Sequence, residues 1–140
     1  MAEGILRKKL LQNKIEAVVD SCGFESFHVG DMPDPRAITV TRKNGIDITT
    51  HRSRLFRDRD FQDFDFIFVM DSTHYRKVMK RAVKPQDQSK VDYFLNVVHP
   101  GRNEEVSDPW YHDQEAFKKV FVQLDEACDL FVKQITQMGK

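Results

Sequence analysis

Short apolar runs alternate with stretches of helical period along this chain, and that alternation limits the folds open to it more than any other feature. Residues 15–21 (IEAVVDS), 64–70 (FDFIFVM) and 91–98 (VDYFLNVV) read as strands, being short and rich in β-branched or aromatic side chains. The near-continuous apolar character of 64–70 predicts a central strand buried on both faces. Helical patterns precede, separate and follow these runs, giving the order helix, strand, helix, strand, helix, strand, helix. That order predicts an α/β fold, a three-layer arrangement with a parallel sheet and helices on both faces. In such a fold the ligand sits beyond the carboxyl ends of the strands. The loops there are residues 22–34, the segment after Met70, and residues 99–112.

The helices are marked by period and by punctuation. Residues 2–12 place Ala2, Ile5, Leu6 and Leu10 on one face and Arg7, Lys8 and Lys9 on the other. Asp34 is placed to cap a helix that opens with Pro35, carries Ala37, Ile38 and Val40, and ends at Asn44-Gly45. Residues 46–54 read as a polar, extended piece. Asp71-Ser72 caps the next helix, with Tyr75, Val78, Met79 and Ala82 on one side and Pro85 closing it. The longest helix is predicted over 113–137, where Phe117, Val120, Phe121, Leu124, Cys128, Phe131 and Ile135 form one stripe. Cys128 on that stripe reads as core rather than nucleophile.

Composition narrows the function. The 140 residues suit one domain with its own core. Lysine plus arginine and aspartate plus glutamate are 22 each, so net charge is zero, which argues against a nucleic-acid or membrane-surface role driven by bulk charge. No apolar run approaches the length of a membrane span, and the start lacks a signal-peptide pattern. Two cysteines, Cys22 and Cys128, in unlike contexts make no disulfide framework and point to a reducing, cytoplasmic compartment. His28, His51, His74, His99 and His112 show no metal-ligand spacing, and neither a metal nor a cofactor is expected.

The chemistry concentrates in Ser107-Asp108-Pro109-Trp110-Tyr111. Pro109 fixes its own φ and biases Asp108 away from helix, so the acid occupies a stiff, non-helical corner. Beside it, the two flat rings suit a slot for an aromatic group. An acid at the rim of such a slot is placed to protonate a leaving phenol oxygen. The alternative is a plain loop entering the last helix, with the two rings as core filler.

Along its length the chain resembles the low-molecular-weight protein tyrosine phosphatases. The resemblance is carried by Met1-Ala2-Glu3-Gly4, Phe27-His28-Val29-Gly30 with Pro33-Asp34-Pro35-Arg36-Ala37, and Gly45-Ile46-Asp47-Ile48 with His51-Arg52-Ser53-Arg54. Asp60-Phe61, Phe64-Asp65, Met70-Asp71 and Asp108-Pro109-Trp110-Tyr111 complete it in order. It implies a four-stranded sheet of order 2-1-3-4 and a two-step phosphoryl transfer through a cysteinyl-phosphate. Asp108 takes the place of the general acid, Phe27, Trp110 and Tyr111 those of the aromatic slot, and Ser21, His51 and Asp71 those of residues supporting the phosphate loop. The implied substrate is a phosphotyrosine protein or an aryl phosphate.

The family's first strand and its C-x5-R-[ST] loop are expected ahead of Met1, which reads as an internal methionine of a longer phosphatase. Neither Cys22 nor Cys128 has an arginine at the C-x5-R spacing. The 140 residues by themselves are therefore expected to be an N-terminally truncated domain without turnover, and to be marginally stable, aggregation-prone or rescued by forming a homodimer. Two readings stand beside this one: a non-catalytic relative that binds phosphotyrosine or a partner protein, and an arsenate reductase. The second would need redox cysteines that Cys22 and Cys128 do not provide.

Overall fold

The structure is a computed structural model, and it describes residues 1–25, 29–109 and 112–138. The chain divides into two compact units. One is formed by Met1–Leu55 with Asp108–Lys140, the other by Phe56–Ser107.

The first unit is helical. It holds α1 (Ala2–Gln12), α2 (Pro35–Lys43) and α6 (Gln114–Met138), with α1 and α2 both packed on α6. Helix α6 lies close to the predicted span, and seven of its stripe's neighbours show why it forms: Phe117, Val120, Phe121, Leu124, Ala127, Cys128 and Phe131 are all buried. An apolar stripe of this length gains its stability by facing partners, here Ile5 and Leu10 of α1 and Ala37 and Val40 of α2. Lys9 ties the two long helices together through Asp125 (2.9 Å) and Asp129 (2.7 Å). Helix α2 begins as its sequence dictates: the Asp34 carboxylate accepts from the Arg36 N–H at 2.8 Å, and Pro35 takes the first helical position. It stops at Asn44, where Gly45 turns the chain with φ at 75°. The polar segment 46–54 nevertheless buries Ile46 and Ile48.

The second unit carries the sheet. Strands β1 (Ile67–Val69) and β2 (Val91–Tyr93) pair in parallel, with Ile67 opposite Val91 and Val69 opposite Tyr93. Between them run α4 (Ser72–Arg81), which packs on both strands, and a short α5 (Pro85–Gln88). A single turn, α3 (Asp60–Asp63), precedes β1. The parallel pair with a helical crossover is the α/β arrangement the alternation predicted.

Three strand expectations are corrected. Residues 15–21 form no ladder among the described residues, and Val18 is 82% exposed; a β-branched run becomes a strand only where a neighbour pairs with it. The run 64–70 contracts to Ile67–Val69, and it is not buried on both faces, since Phe66 is 44% exposed. The run 91–98 contracts to Val91–Tyr93 and then tightens into a 3-10 turn, Phe94–Val97. An apolar run does not distinguish strand from buried helical turn. Asn96 makes the difference here: it is buried, and its amide donates to Asp92 at 2.6 Å and Asn103 at 2.8 Å, folding the chain back. Pro85, expected only to close α4, also opens α5. Two strands and one isolated parallel bridge, Gly23 to Leu55, are described where the family's four strands, less the first, were expected.

Candidate active site

In the first unit a carboxylate gathers two of the residues singled out in the sequence. Glu3, in the first turn of α1, has a side chain only 11% exposed. It accepts from Ser21 Oγ at 2.8 Å, and His51 Nδ1 lies 3.4 Å from the same oxygen. Arg7, one turn further along α1, holds the other oxygen at 3.1 Å. Arg7 also donates to the Val19 carbonyl at 2.8 Å, which fixes the segment leading to Ser21. Asp20 bridges the Ser21 N–H and Arg54 at 2.8 and 2.9 Å, and the Gly23 N–H reaches the Arg54 carbonyl at 2.9 Å. Residues 20–23 and 51–55 are thereby held side by side next to the first turn of α1. Helix first turns present backbone N–H groups that favour anions.

Asp108 occupies a different part of the same unit, exposed and outside any helix, as Pro109 dictates. The His112 N–H closes a turn on the Pro109 carbonyl at 2.9 Å. The turn is tied to α2: the Arg36 guanidinium donates to the His112 carbonyl, and Gln114 Nε2 donates to the Arg36 carbonyl at 3.1 Å. Phe27, Trp110 and Tyr111, expected to line the aromatic slot, lie outside the described residues. Asp71 belongs to the second unit and caps α4 there, accepting from the His74 N–H at 2.8 Å and pairing with His74 Nδ1 at 2.7 Å.

The cysteines differ sharply. Cys22 is exposed, whereas Cys128 is buried against the Ala2 carbonyl at 3.9 Å. Burial pushes the Cys128 thiol up to about 12, so it is protonated at neutral pH and unsuited to attack. A cavity of about 130 Å³ lies between α1 and α6, lined by Ile5, Lys8, Asn44 and Phe121 among others. It is remote from the chemistry-bearing loops in sequence and is a packing gap. Among the described residues no three potential metal ligands converge. No helix among them is long and apolar enough to cross a membrane.

Two residues central to this geometry, Glu3 and Arg36, escaped the sequence reading. Glu3 precedes Arg7 by four positions, which signals an ion pair on a helix face but not the reach to Ser21 and His51. Arg36 follows a proline-opened cap and reads locally as a solvated charge.

The sequence matches the family described as low molecular weight phosphotyrosine protein phosphatase over residues 1–140. The chain belongs to this family. A low molecular weight phosphotyrosine protein phosphatase of Schizosaccharomyces pombe is 39% identical over 139 residues, spanning 96% of this chain and 87% of that protein. Its counterpart in Dictyostelium discoideum is 30% identical over 156 residues, spanning 99% of this chain and 87% of that one. The crystal structure of a protein tyrosine phosphatase from Entamoeba histolytica superposes with a TM-score of 0.89 at 26% identity, covering 99% of this chain and 89% of that one. The crystal structure of a Drosophila arginine phosphatase superposes at 0.86 with 27% identity, covering 96% of this chain and 87% of its own. Membership makes the chain a low molecular weight phosphotyrosine phosphatase, a hydrolase with the α/β fold of that family, and phosphotyrosine-containing substrates fit it.

Proposed function

We propose that Asp108 is the general acid of the phosphatase reaction, with Phe27, Trp110 and Tyr111 lining the slot for the aryl group. Ser21, His51 and Asp71 support the loop that cradles the phosphate. In the first step a cysteine thiolate forms a bond to phosphorus while the bond from phosphorus to the phenol oxygen breaks. Asp108, protonated, delivers its proton to that oxygen. In the second step a water oxygen bonds to phosphorus as the sulfur–phosphorus bond breaks and its electrons return to the cysteine thiolate; the Asp108 carboxylate takes the proton from the water, and inorganic phosphate leaves. The observation that supports the reading is Ser21 and His51 gathered on Glu3 beside the first turn of α1, in the unit that also holds an exposed, non-helical Asp108.

Neither cysteine of these 140 residues is the nucleophile in this reading. Cys128 is buried and protonated, and Cys22 lacks the arginine spacing. The 140-residue chain alone is accordingly without turnover. We place its working compartment in the reducing cytoplasm, in keeping with Cys22 and Cys128 forming no disulfide. A homodimer of the 140-residue chain belongs to the same reading, with exposed Leu11 and Val18 as apolar surface to cover; analytical ultracentrifugation showing only monomer would remove it.

The test compares this chain with a form extended upstream through the family's cysteine–arginine loop, on phenyl phosphate and on a phosphotyrosine peptide. Turnover is expected from the extended form only. Asp108→Asn should lower its kcat by roughly 100-fold or more on phenyl phosphate and far less on a more acidic phenol. Turnover by the short chain with both cysteines changed to serine, or an unaffected Asp108→Asn variant, refutes the mechanism. A phosphoarginine peptide run alongside tests the tyrosine preference.

A further inference from the structure

We propose that Arg36 is a positioning residue that holds the acid loop in its working geometry. The inference rests on the reading of Asp108 as general acid. Two bonds among the described residues of this stretch are local: His112 N–H to the Pro109 carbonyl at 2.9 Å, and Ala116 N–H to Asp113 at the mouth of α6. Neither bond ties the loop to the rest of the unit. Arg36 does, from seventy-six residues away, by donating to the His112 carbonyl.

The guanidinium is itself held on several sides. Asp34 grips it in a fork, Nε to Oδ1 at 3.1 Å and Nη2 to Oδ2 at 3.0 Å. It lies over the ring of Phe117, 4.5 Å from the centroid, and that ring is buried in the first turns of α6. A bidentate carboxylate and an aromatic face are the two partners that suit a planar, delocalised cation, and a lysine can match neither geometry. With two nitrogens on Asp34, the remaining Nη1 is aimed at the loop. Gln114 returns the contact by donating to the Arg36 carbonyl, so backbone and side chain of one residue are both tied to the loop's end. The cap that starts α2 and the clamp on the acid loop are therefore one construction, Asp34 serving both.

The test uses two measurements. On the 140-residue chain, Arg36→Lys should speed amide exchange at His112 and Ala116 by roughly tenfold while Val120 and Leu124 keep their protection. On the form extended through the cysteine–arginine loop, Arg36→Lys should lower kcat on phenyl phosphate roughly tenfold with KM unchanged. The loss should shrink below about twofold on a more acidic phenol and vanish in an Asp108→Asn background. Unchanged exchange overturns the proposal, as does equal slowing with both leaving groups or slowing that persists without Asp108. If Asp108→Asn itself has no effect, the general-acid reading falls on its own account, and the exchange result still decides whether Arg36 clamps the loop.

Discussion

Gly4 offers a quantitative test of how tightly α1 is seated. By helix propensity alone, replacing a glycine in α1 with alanine should stabilise the protein by about 1 kcal/mol. The surroundings oppose this. A Cβ on Gly4 would stand 2.6 Å from Ile48 Cγ2 and 3.1 Å from Ile46 Cγ2. Both isoleucines are buried, at 6% and 8% exposure, and a Cγ2 methyl is fixed directly to Cβ, so it retreats only if χ1 or the backbone moves. Overpacking of this kind costs about 1–3 kcal/mol. The net expectation for Gly4→Ala is a loss of about 1 kcal/mol, or a fall in Tm of about 3–4 °C for a domain this size. Ile48→Met removes the offending methyl while nearly keeping volume, and alone it should cost less than about 1.5 kcal/mol. Together the two changes should be less harmful than their sum by about 1–2 kcal/mol, because the shorter of the two close approaches is gone and much of the propensity gain emerges. Urea unfolding at constant m-value measures all four corners of the cycle. A Gly4→Ala protein more stable than its parent, or an additive cycle, would show that the close approach of α1 to residues 46–48 does not constrain the helix.

Further outcomes concern thiols and acid stability. A thiol reagent should titrate Cys22 quickly in the native chain and reach Cys128 only on unfolding, since Cys128 is fully buried and its thiol is pushed up to about 12; rapid native labelling of both refutes the packing of α6. Hydrogen bonding from the Arg36 side chain outweighs burial and holds the Asp34 carboxyl below its ordinary value of 3.8. A depressed native value means stability present above the unfolded value and lost as pH falls through the native one. Asp34→Asn keeps the helix cap, so it should be less stable than the parent at neutral pH, with the gap closing as pH falls below the ordinary carboxyl value of 3.8 and through the lowered native one. A gap that persists at low pH would assign the loss to packing instead.

What was legible in the sequence was local. Asp34-Pro35 and Asp71-Ser72 announced two helix starts because a cap needs only residues within one turn. The stripe from Phe117 to Phe131 announced α6 because its period lies within one segment. The non-helical backbone at Asp108 was legible for the same reason, Pro109 being its neighbour. What failed was whatever depended on a distant partner. Residues 15–21 carry strand composition without a ladder among the described residues, and Asn96 folds the chain back after β2 by reaching Asn103, outside its own run, as well as Asp92 within it. The contacts of Glu3 and Arg36 were not legible because their partners, His51 and His112, lie 48 and 76 residues away.

The packing of α1 on α6 also sets a schedule. The Cys128 thiol meets the Ala2 carbonyl across a separation of 126 residues, so α1 emerges from the ribosome long before its partner exists. Closing so long a loop costs only a few kcal/mol, since the entropy grows with the logarithm of length, but it takes time. Residues Phe56–Ser107 are contiguous and close on themselves, with β1, α4 and β2 neighbours in sequence. During synthesis the middle of this chain can therefore fold ahead of its beginning. Ile5 and Leu10 stay uncovered through that interval, the period in which the nascent chain depends most on chaperones.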